Sequence, residues 1–188
     1  YATQMRTAPG STFKMVTSTS ILMSHTAGLY DTVRCTGTFD RFDRPMRCWI
    51  YPNGSHGELT LSEAITHSCN HFFYEMAYQM GISGFGEEQI YDNQVANSKM
   101  LEYVELFGLS EKTGIEIEES VPLVSEDANA SQAAIGQGSH GYTTVGLARY
   151  VTTVANSGTC YNLTLVNKIT DHSGNLLEEN HATIRNEV

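Results

Sequence analysis

Five segments of the chain repeat apolar residues at the three- and four-residue spacing of an amphipathic helix. The pattern predicts helices at about 11–29, from 60, and at 70–80, 99–107 and 144–156. Thr60 and Glu63 form a capping-box pattern at the start of the second. Glycines at 28, 81, 108 and 158 follow the other four, as expected of residues that end a helix. The chain is therefore predicted to be mainly α-helical.

A period of two occurs only near the C-terminal end. Apolar residues between Leu163 and Ile169 predict a strand, and Asp-His-Ser-Gly at 171–174 predicts a turn, which together indicate a hairpin over 162–180. Residues 30–58 show neither period and are rich in Gly, Asp and Arg, so we expect an irregular insertion there.

Composition narrows the class of protein. The chain has 188 residues, of which 21 are acidic and 11 basic, so the formal net charge is −10. Such a surplus repels a phosphate backbone and excludes nucleic acid as an expected partner. The chain has no apolar run near the roughly 20 residues that span a bilayer. It starts Tyr-Ala-Thr-Gln, without a Met or a signal peptide, so we expect a segment that begins within a gene.

Ser11 and Lys14 stand three residues apart at the start of the first predicted helix. That spacing places both side chains on one helical face. A serine needs an adjacent base to act as a nucleophile, and a partly desolvated lysine serves as one. Taken alone, so short a pattern favours a capping serine with a solvated lysine.

The flanking residues resemble the transpeptidase domain of penicillin-binding proteins. Pro-Gly-Ser-Thr-Phe-Lys at 9–14 is similar to the first motif of that family, and Ser-Cys-Asn at 68–70 to the second, S-x-N. Residues 107–115 resemble its G-x-x-x-x-T-G-I turn, and Ala-Ile-Gly-Gln-Gly at 134–138 its A-I-G-Q-G loop. The resemblance points to the class B, monofunctional, elongation-type members.

The resemblance assigns roles residue by residue. It implies that Ser11 attacks a D-Ala-D-Ala stem peptide of peptidoglycan, or a β-lactam, and that Lys14 is its base. It implies that Ser68 relays a proton to the leaving amine, and that Asn70 binds the substrate amide and positions Lys14. It also implies an extracytoplasmic location and a parent protein anchored in the membrane.

The third motif of the family, K-[ST]-G, has only a false match. Lys-Thr-Gly at 112–114 precedes the A-I-G-Q-G loop, whereas the family's motif follows it.

We therefore predict a partial transpeptidase domain over 1–188: the mainly α helical subdomain of the α+β penicillin-binding/serine β-lactamase-like fold. A C-terminal hairpin would accompany it, with the central antiparallel sheet largely missing. Such a chain is expected to be weakly active or inactive alone and to self-associate through the apolar face left behind. Residues 136–141 spell G-x-G-x-x-G, but without the preceding strand of a dinucleotide site.

Three cysteines and one histidine form a candidate metal site. Cys35, Cys48, His56 and Cys69 are separated by 12, 7 and 12 residues, and three thiolates with one imidazole suit a structural zinc ion. Some elongation-type members of the family carry a metal in this region, with the middle residue of S-x-N as a ligand. The alternatives are a Cys35–Cys48 disulfide and buried free thiols.

Two other functions stay open at this point. A serine β-lactamase or β-lactam sensor shares the first two motifs, although the A-I-G-Q-G loop and the Cys-containing insertion favour the transpeptidase. A non-catalytic, zinc-stapled interaction module is the second alternative.

Overall fold

A computed structural model of the chain describes residues 1–84, 86–125 and 129–188. The helices in these residues are α1 (Lys14–Met23), α2 (Leu61–Thr66), α3 (Asn70–Met80), α4 (Asn93–Leu106), α5 (Ala130–Ala133) and α6 (Thr144–Ala155). Their strands are β1 (Arg6–Thr7), β2 (Val33–Cys35), β3 (Thr38–Phe39), β4 (Met46–Arg47), β5 (Gly57–Leu59), β6 (Ile82–Ser83), β7 (Ile90–Tyr91), β8 (Tyr142–Thr143), β9 (Thr159–Tyr161), β10 (Lys168–Thr170), β11 (Leu176–Glu179) and β12 (Ile184–Glu187).

The chain folds as two compact units. The helical unit comprises residues 8–103 and 125–140, and the terminal unit comprises residues 1–7, 104–124 and 141–188. Each described strand pairs with a single antiparallel partner, and no larger sheet forms among the described residues. The prediction of a mainly helical chain without the central sheet is therefore confirmed.

Helix α3 forms the centre of the helical unit. Phe73, Ala77 and Met80 lie on one stripe of the helix and are completely buried. They pack in one apolar cluster with Ile21 of α1 and with residues of α2 and α5. The predicted bounds of this helix, 70–80, match the observed ones, and Gly81 follows it as expected.

Helix α1 ends five residues before the predicted stop at Gly28. His25 takes the left-handed conformation, with φ of 55°, that a glycine usually supplies. The N–H of His25 donates to Leu22 O at 3.1 Å, and that of Thr26 donates to Ile21 O at 3.0 Å. These two bonds form a Schellman motif, so the helix ends at a histidine. The prediction that Gly28 ends it was wrong.

Helix α4 begins six residues earlier than the predicted Lys99. Its first turn opens with two polar residues, which weakens the apolar pattern, but Asp92 Oδ1 accepts the N–H of Gln94 at 2.8 Å. A carboxylate in that position satisfies a free amide at the start of a helix.

The segment 30–58 is more regular than its composition suggests. Strand β2 pairs with β5 so that Cys35 lies opposite Gly57, and β3 pairs with β4. The pairing of β2 with β5 brings Cys35 next to His56 in space, although 20 residues separate them along the chain.

In the terminal unit, the side chain of Arg149 on α6 is 1% exposed and donates to backbone carbonyls of Gly108, Glu111 and Lys112. Thr113 is also buried. Its N–H and hydroxyl are satisfied there because they donate to the Glu119 carboxylate at 2.7 and 3.0 Å. Lys112 and Gly114 on either side of Thr113 are exposed, and the Lys-Thr-Gly sequence at 112–114 is not part of a strand.

The C-terminal hairpin consists of β10 and β11, joined by a turn in which Asp171 Oδ1 accepts the N–H groups of Ser173 and Asn175. The predicted strand was wrong over 163–166. There the Glu116 carboxylate accepts the N–H groups of Leu165 and Val166, which takes up backbone groups that a strand would need.

None of the helices in the described residues has the length and apolarity that crossing a membrane requires.

His140 makes the stability of the helical unit depend on pH. Its ring packs on Phe13 at 4.6 Å, its Nδ1 accepts the N–H of Ser125 at 3.2 Å, and burial lowers its pKa from 6.5 to about 4. Below about pH 6.5 His140 therefore binds a proton in the unfolded chain and not in the folded one. Stability is fully present above that pH and is lost as pH falls toward 4.

We expect urea denaturation to show a free energy of unfolding that falls by up to about 3 kcal/mol between these two pH values. His140→Gln should remove most of this dependence, whereas His172→Gln, at an exposed turn position, should follow the unsubstituted chain. Parallel curves for His140→Gln and the unsubstituted chain would contradict the assignment.

Candidate active site

Ser11 and Lys14 meet at the start of α1, as the sequence predicts. A 3₁₀ turn over Gly10–Phe13 leads directly into the helix, so Ser11 and Lys14 lie one turn apart. Lys14 Nζ donates to Ser11 Oγ at 3.1 Å. Lys14 is 3% exposed, so the amino group is shielded from water. Ser11 is exposed, so its hydroxyl is accessible from solvent.

Ser68 and Asn70 reach the same lysine from the turn between α2 and α3. Lys14 Nζ lies 2.7 Å from Asn70 Oδ1, 2.9 Å from Ser68 Oγ and 2.9 Å from Ser68 O. The Ser68 hydroxyl also donates to Ser11 Oγ at 2.9 Å. The structure thus brings all four predicted catalytic residues together around one amino group.

The conformation of Ser68 explains how it reaches Lys14. Helix α2 ends in a Schellman motif: Ser68 N donates to Ile65 O at 3.0 Å, and Cys69 N donates to Ala64 O at 2.9 Å. Ser68 occupies the left-handed position of that motif, with φ of 49°, where glycine is usual. The reversal lets α3 start immediately, at Asn70.

Burial lowers the pKa of Lys14 from 10.5 to about 8, and the negative charge of the nearby Cys48 and Cys69 sulfurs partly opposes this shift. Removing an ammonium from water is costly unless acceptors surround it. Its four partners, which are two hydroxyls, one carbonyl and one amide oxygen, limit that cost. A substantial fraction of Lys14 is therefore a neutral amine near pH 8, which is the form that accepts a proton.

The A-I-G-Q-G loop holds the backbone beside the candidate nucleophile. Gly10 N donates to Gly136 O at 3.0 Å, and Thr17 Oγ1 donates to Ala134 O at 2.8 Å. Gly136 has φ of 71°, and a Cβ there would stand 2.1 Å from Gly10 O. Only glycine permits this approach, a contact across more than a hundred residues that sequence reasoning missed.

The candidate metal site lies next to the turn that carries Ser68 and Asn70, because Cys69 stands between these two residues. It comprises Cys35, Cys48, His56 and Cys69. Their ligand atoms all lie within 4.8 Å of one another. His56 Nδ1 is 3.5 Å from Cys35 Sγ and 3.6 Å from Cys48 Sγ, and the sulfurs of Cys48 and Cys69 are 3.9 Å apart. All four cysteines of the chain are free thiols in the structure.

The cluster favours a thiolate at Cys48. A hydrogen bond from Cys69, together with the backbone N–H groups of His71, Ile50 and Asn70, lowers the pKa of Cys48 well below its usual range. The shared proton and burial raise the pKa of Cys69. Two of the amides belong to the first turn of α3, where the helix dipole also favours an anion.

The chain matches the family model of the penicillin-binding protein transpeptidase domain over residues 1–188. It therefore belongs to that family, as its motifs predict. Stage V sporulation protein D of Bacillus subtilis is 30% identical over 111 residues, covering 58% of this chain and 15% of that protein. Peptidoglycan D,D-transpeptidase MrdA of Haemophilus influenzae is 27% identical over 136 residues, covering 58% of this chain and 18% of that protein. The chain spans less than a fifth of these relatives.

Solved structures place the fold in the same family. Penicillin-binding protein 2B from Streptococcus pneumoniae strain 5204 superposes with a TM-score of 0.84 at 24% identity, covering 100% of this chain and 33% of that one. Penicillin-binding protein 2 from Helicobacter pylori gives a TM-score of 0.77 at 19% identity, covering 100% of this chain and 33% of that one. The chain is thus a mainly helical part of the penicillin-binding transpeptidase fold.

The left-handed conformation of Ser68 should cost stability. Because glycine adopts this conformation freely, we expect Ser68→Gly to be about 1 kcal/mol more stable than Ser68→Ala in urea denaturation. The order should reverse at Ser62, an exposed position inside α2, where alanine is better than glycine by about 1 kcal/mol. The same order at both positions would show that Ser68 is not strained.

Proposed function

We propose that this chain supplies the nucleophile, the base and the proton relay of a serine D,D-transpeptidase that cross-links peptidoglycan stem peptides. The observation that supports this most directly is the single amino group of Lys14, within 3.1 Å of the hydroxyls of Ser11 and Ser68 and of the Asn70 amide oxygen. Membership of the transpeptidase family supports the reaction class.

In the proposed reaction, Ser11 Oγ attacks the carbonyl carbon between the two D-Ala residues. Its proton passes to Lys14 Nζ, and the tetrahedral intermediate is stabilised by N–H donors that include the backbone of Ser11. The C–N bond then breaks, and the leaving amine takes a proton relayed through Ser68. An amine from a second stem peptide attacks the resulting ester, which transfers the acyl group and returns the proton to Ser11.

Asn70 has a binding role in this scheme. Its Oδ1 accepts from Lys14 at 2.7 Å, so it offers a substrate its amide N–H groups, which suit a peptide carbonyl. A β-lactam would acylate Ser11 by the same attack, with its ring opening in place of amine departure. We also propose an extracytoplasmic location, since that is where stem peptides are cross-linked.

The 188 residues contain two of the three family motifs, so we propose that this chain alone is acylated slowly. The Lys-Thr-Gly segment at 112–114 forms no strand and so does not provide the missing motif. Self-association of the chain and a membrane anchor in the parent stay predictions.

The pH dependence of acylation tests the role of Lys14. We expect labelling of Ser11 by a fluorescent penicillin to rise with pH and to level off above about pH 8, falling roughly tenfold for each pH unit below it. The sign follows from the need for a neutral amine. Ser11→Ala and Lys14→Met should abolish labelling.

Lys112→Met is the matched control, because Lys112 is an exposed lysine in the false third motif. It should label at the rate of the unsubstituted chain. Labelling of Ser11→Ala, or a rate that is flat across this pH range, would rule out the proposed chemistry.

We further propose that Cys35, Cys48, His56 and Cys69 hold a structural zinc ion. Tetrahedral zinc with Zn–S of about 2.3 Å and Zn–N of about 2.0 Å separates its ligand atoms by roughly 3.5–3.8 Å. Three of the six observed separations, 3.5, 3.6 and 3.9 Å, are close to that geometry, and all six lie within 4.8 Å. Four protein ligands leave no open position, so the ion would staple the segment 35–56 to the start of α3 and take no part in the reaction.

Elemental analysis of protein purified without chelators should find one zinc per chain. Cys48→Ser should lose it, while Cys160→Ser, which changes the equally buried cysteine outside the cluster, should retain it. Removal by a chelator should also change the fluorescence of Trp49, because the ring of His56 lies 5.3 Å from the indole. Zinc retained equally by both variants would exclude this site.

A further inference from the structure

Trp49 is the single tryptophan of the chain and follows Cys48 directly. Its side chain is 61% exposed, so burial of the ring in a core does not explain its position. Its specific contact is polar: the indole Nε1 donates to His67 O at 3.1 Å.

That carbonyl belongs to the peptide that leads into Ser68. The amide side of the strained turn is fixed by the bonds of Ser68 N and Cys69 N to α2. On its carbonyl side, Lys14 Nζ binds Ser68 O at 2.9 Å and Trp49 binds His67 O. A left-handed serine persists only where surrounding contacts over-determine it, and the indole supplies one of these contacts.

The same indole connects the turn to the cysteine cluster. The ring of His56 lies 5.3 Å from Trp49 and 5.7 Å from His67, measured between ring centroids. The segment that carries Cys48, Trp49 and His56 therefore holds the turn at two points, the sulfur of Cys69 and the carbonyl of His67.

We propose that Trp49 is a positioning residue for the acylation site. Its indole N–H fixes the peptide before Ser68 and so keeps the Ser68 hydroxyl 2.9 Å from both Ser11 Oγ and Lys14 Nζ. This inference rests on the proposed function, since the Ser68 hydroxyl has a chemical task only there.

Two isosteric amino acids isolate the N–H group. Biosynthetic replacement of the single tryptophan by β-(3-benzothienyl)alanine exchanges the N–H for sulfur, whereas 7-azatryptophan retains it. A hydrogen bond of this kind is worth about a factor of three to ten in a local equilibrium. We expect amide hydrogen exchange at Ser68 and Cys69 to accelerate by that factor with the sulfur analogue and not with the aza analogue, while α1 exchanges unchanged.

Genetic variants repeat the test without analogues. Trp49→Phe keeps an aromatic ring without the donor and should accelerate exchange at the same two amides. Tyr51→Leu is the control, because Tyr51 lies in the same segment and its ring packs on Arg47. It should exchange at these amides like the unsubstituted chain.

Labelling by a fluorescent penicillin in the same samples separates this inference from the proposed function. The sulfur analogue should lower the first-order rate of acylation about three- to tenfold without changing the half-saturating concentration, because the reacting geometry is altered and the binding groups are not. Equal exchange rates with the two analogues would overturn the role of Trp49. An unsubstituted chain that is never labelled would instead contradict the proposed function, and the exchange contrast would still decide whether Trp49 holds the turn.

Discussion

The amino group of Lys14 is the point on which the site depends. It is removed from water at the start of α1, and a buried charge or amine is stable only when its hydrogen-bonding groups are satisfied. The partners come from a turn more than fifty residues further along the chain. The helical unit must therefore hold two backbone segments in register to within a few tenths of an ångström, and much of its unusual backbone geometry serves that purpose.

Two helices of the unit end in the same way and for different reasons. His25 and Ser68 both stand in the left-handed position of a Schellman motif that glycine usually fills. At His25 the side chain has no partner in the candidate site, and the residue only ends α1. At Ser68 a glycine would end α2 equally well but would lack the hydroxyl, so the strain there is the cost of placing a reactive group inside a tight turn.

Local signals in the sequence predict those parts of the fold that local chemistry decides. The capping box at Thr60 and the left-handed Gly108 after α4 determine helix ends by contacts within a few residues, and the structure has both. The end of α1 was missed because propensity rules assign the left-handed position to glycine and not to histidine. The strand at 163–166 was wrong because a distant carboxylate, Glu116, takes its amide groups.

The candidate site likewise combines contacts that local sequence predicts with contacts that depend on distant parts of the chain. Ser11 and Lys14 are paired by helical spacing alone, whereas their meeting with Ser68 and Asn70 was predicted only through family resemblance. The contact of Gly10 with Gly136 and the bond from Trp49 to His67 join segments whose proximity depends on the whole unit. The spacing of Cys35, Cys48 and His56 fits no short zinc motif. The pairing of β2 with β5 brings Cys35 to His56, and the pairing of β3 with β4 brings Cys48 back beside them.

The order Ser-Cys-Asn at 68–70 puts neighbouring residues into two different chemical environments. Ser68 and Asn70 turn toward Lys14, while Cys69, completely buried between them, turns toward the sulfur of Cys48. The side of the turn that faces away from Lys14 is thus lined by buried thiols. A reagent that modified those sulfurs would therefore shift Ser68 and Asn70 away from Lys14 without touching Ser11.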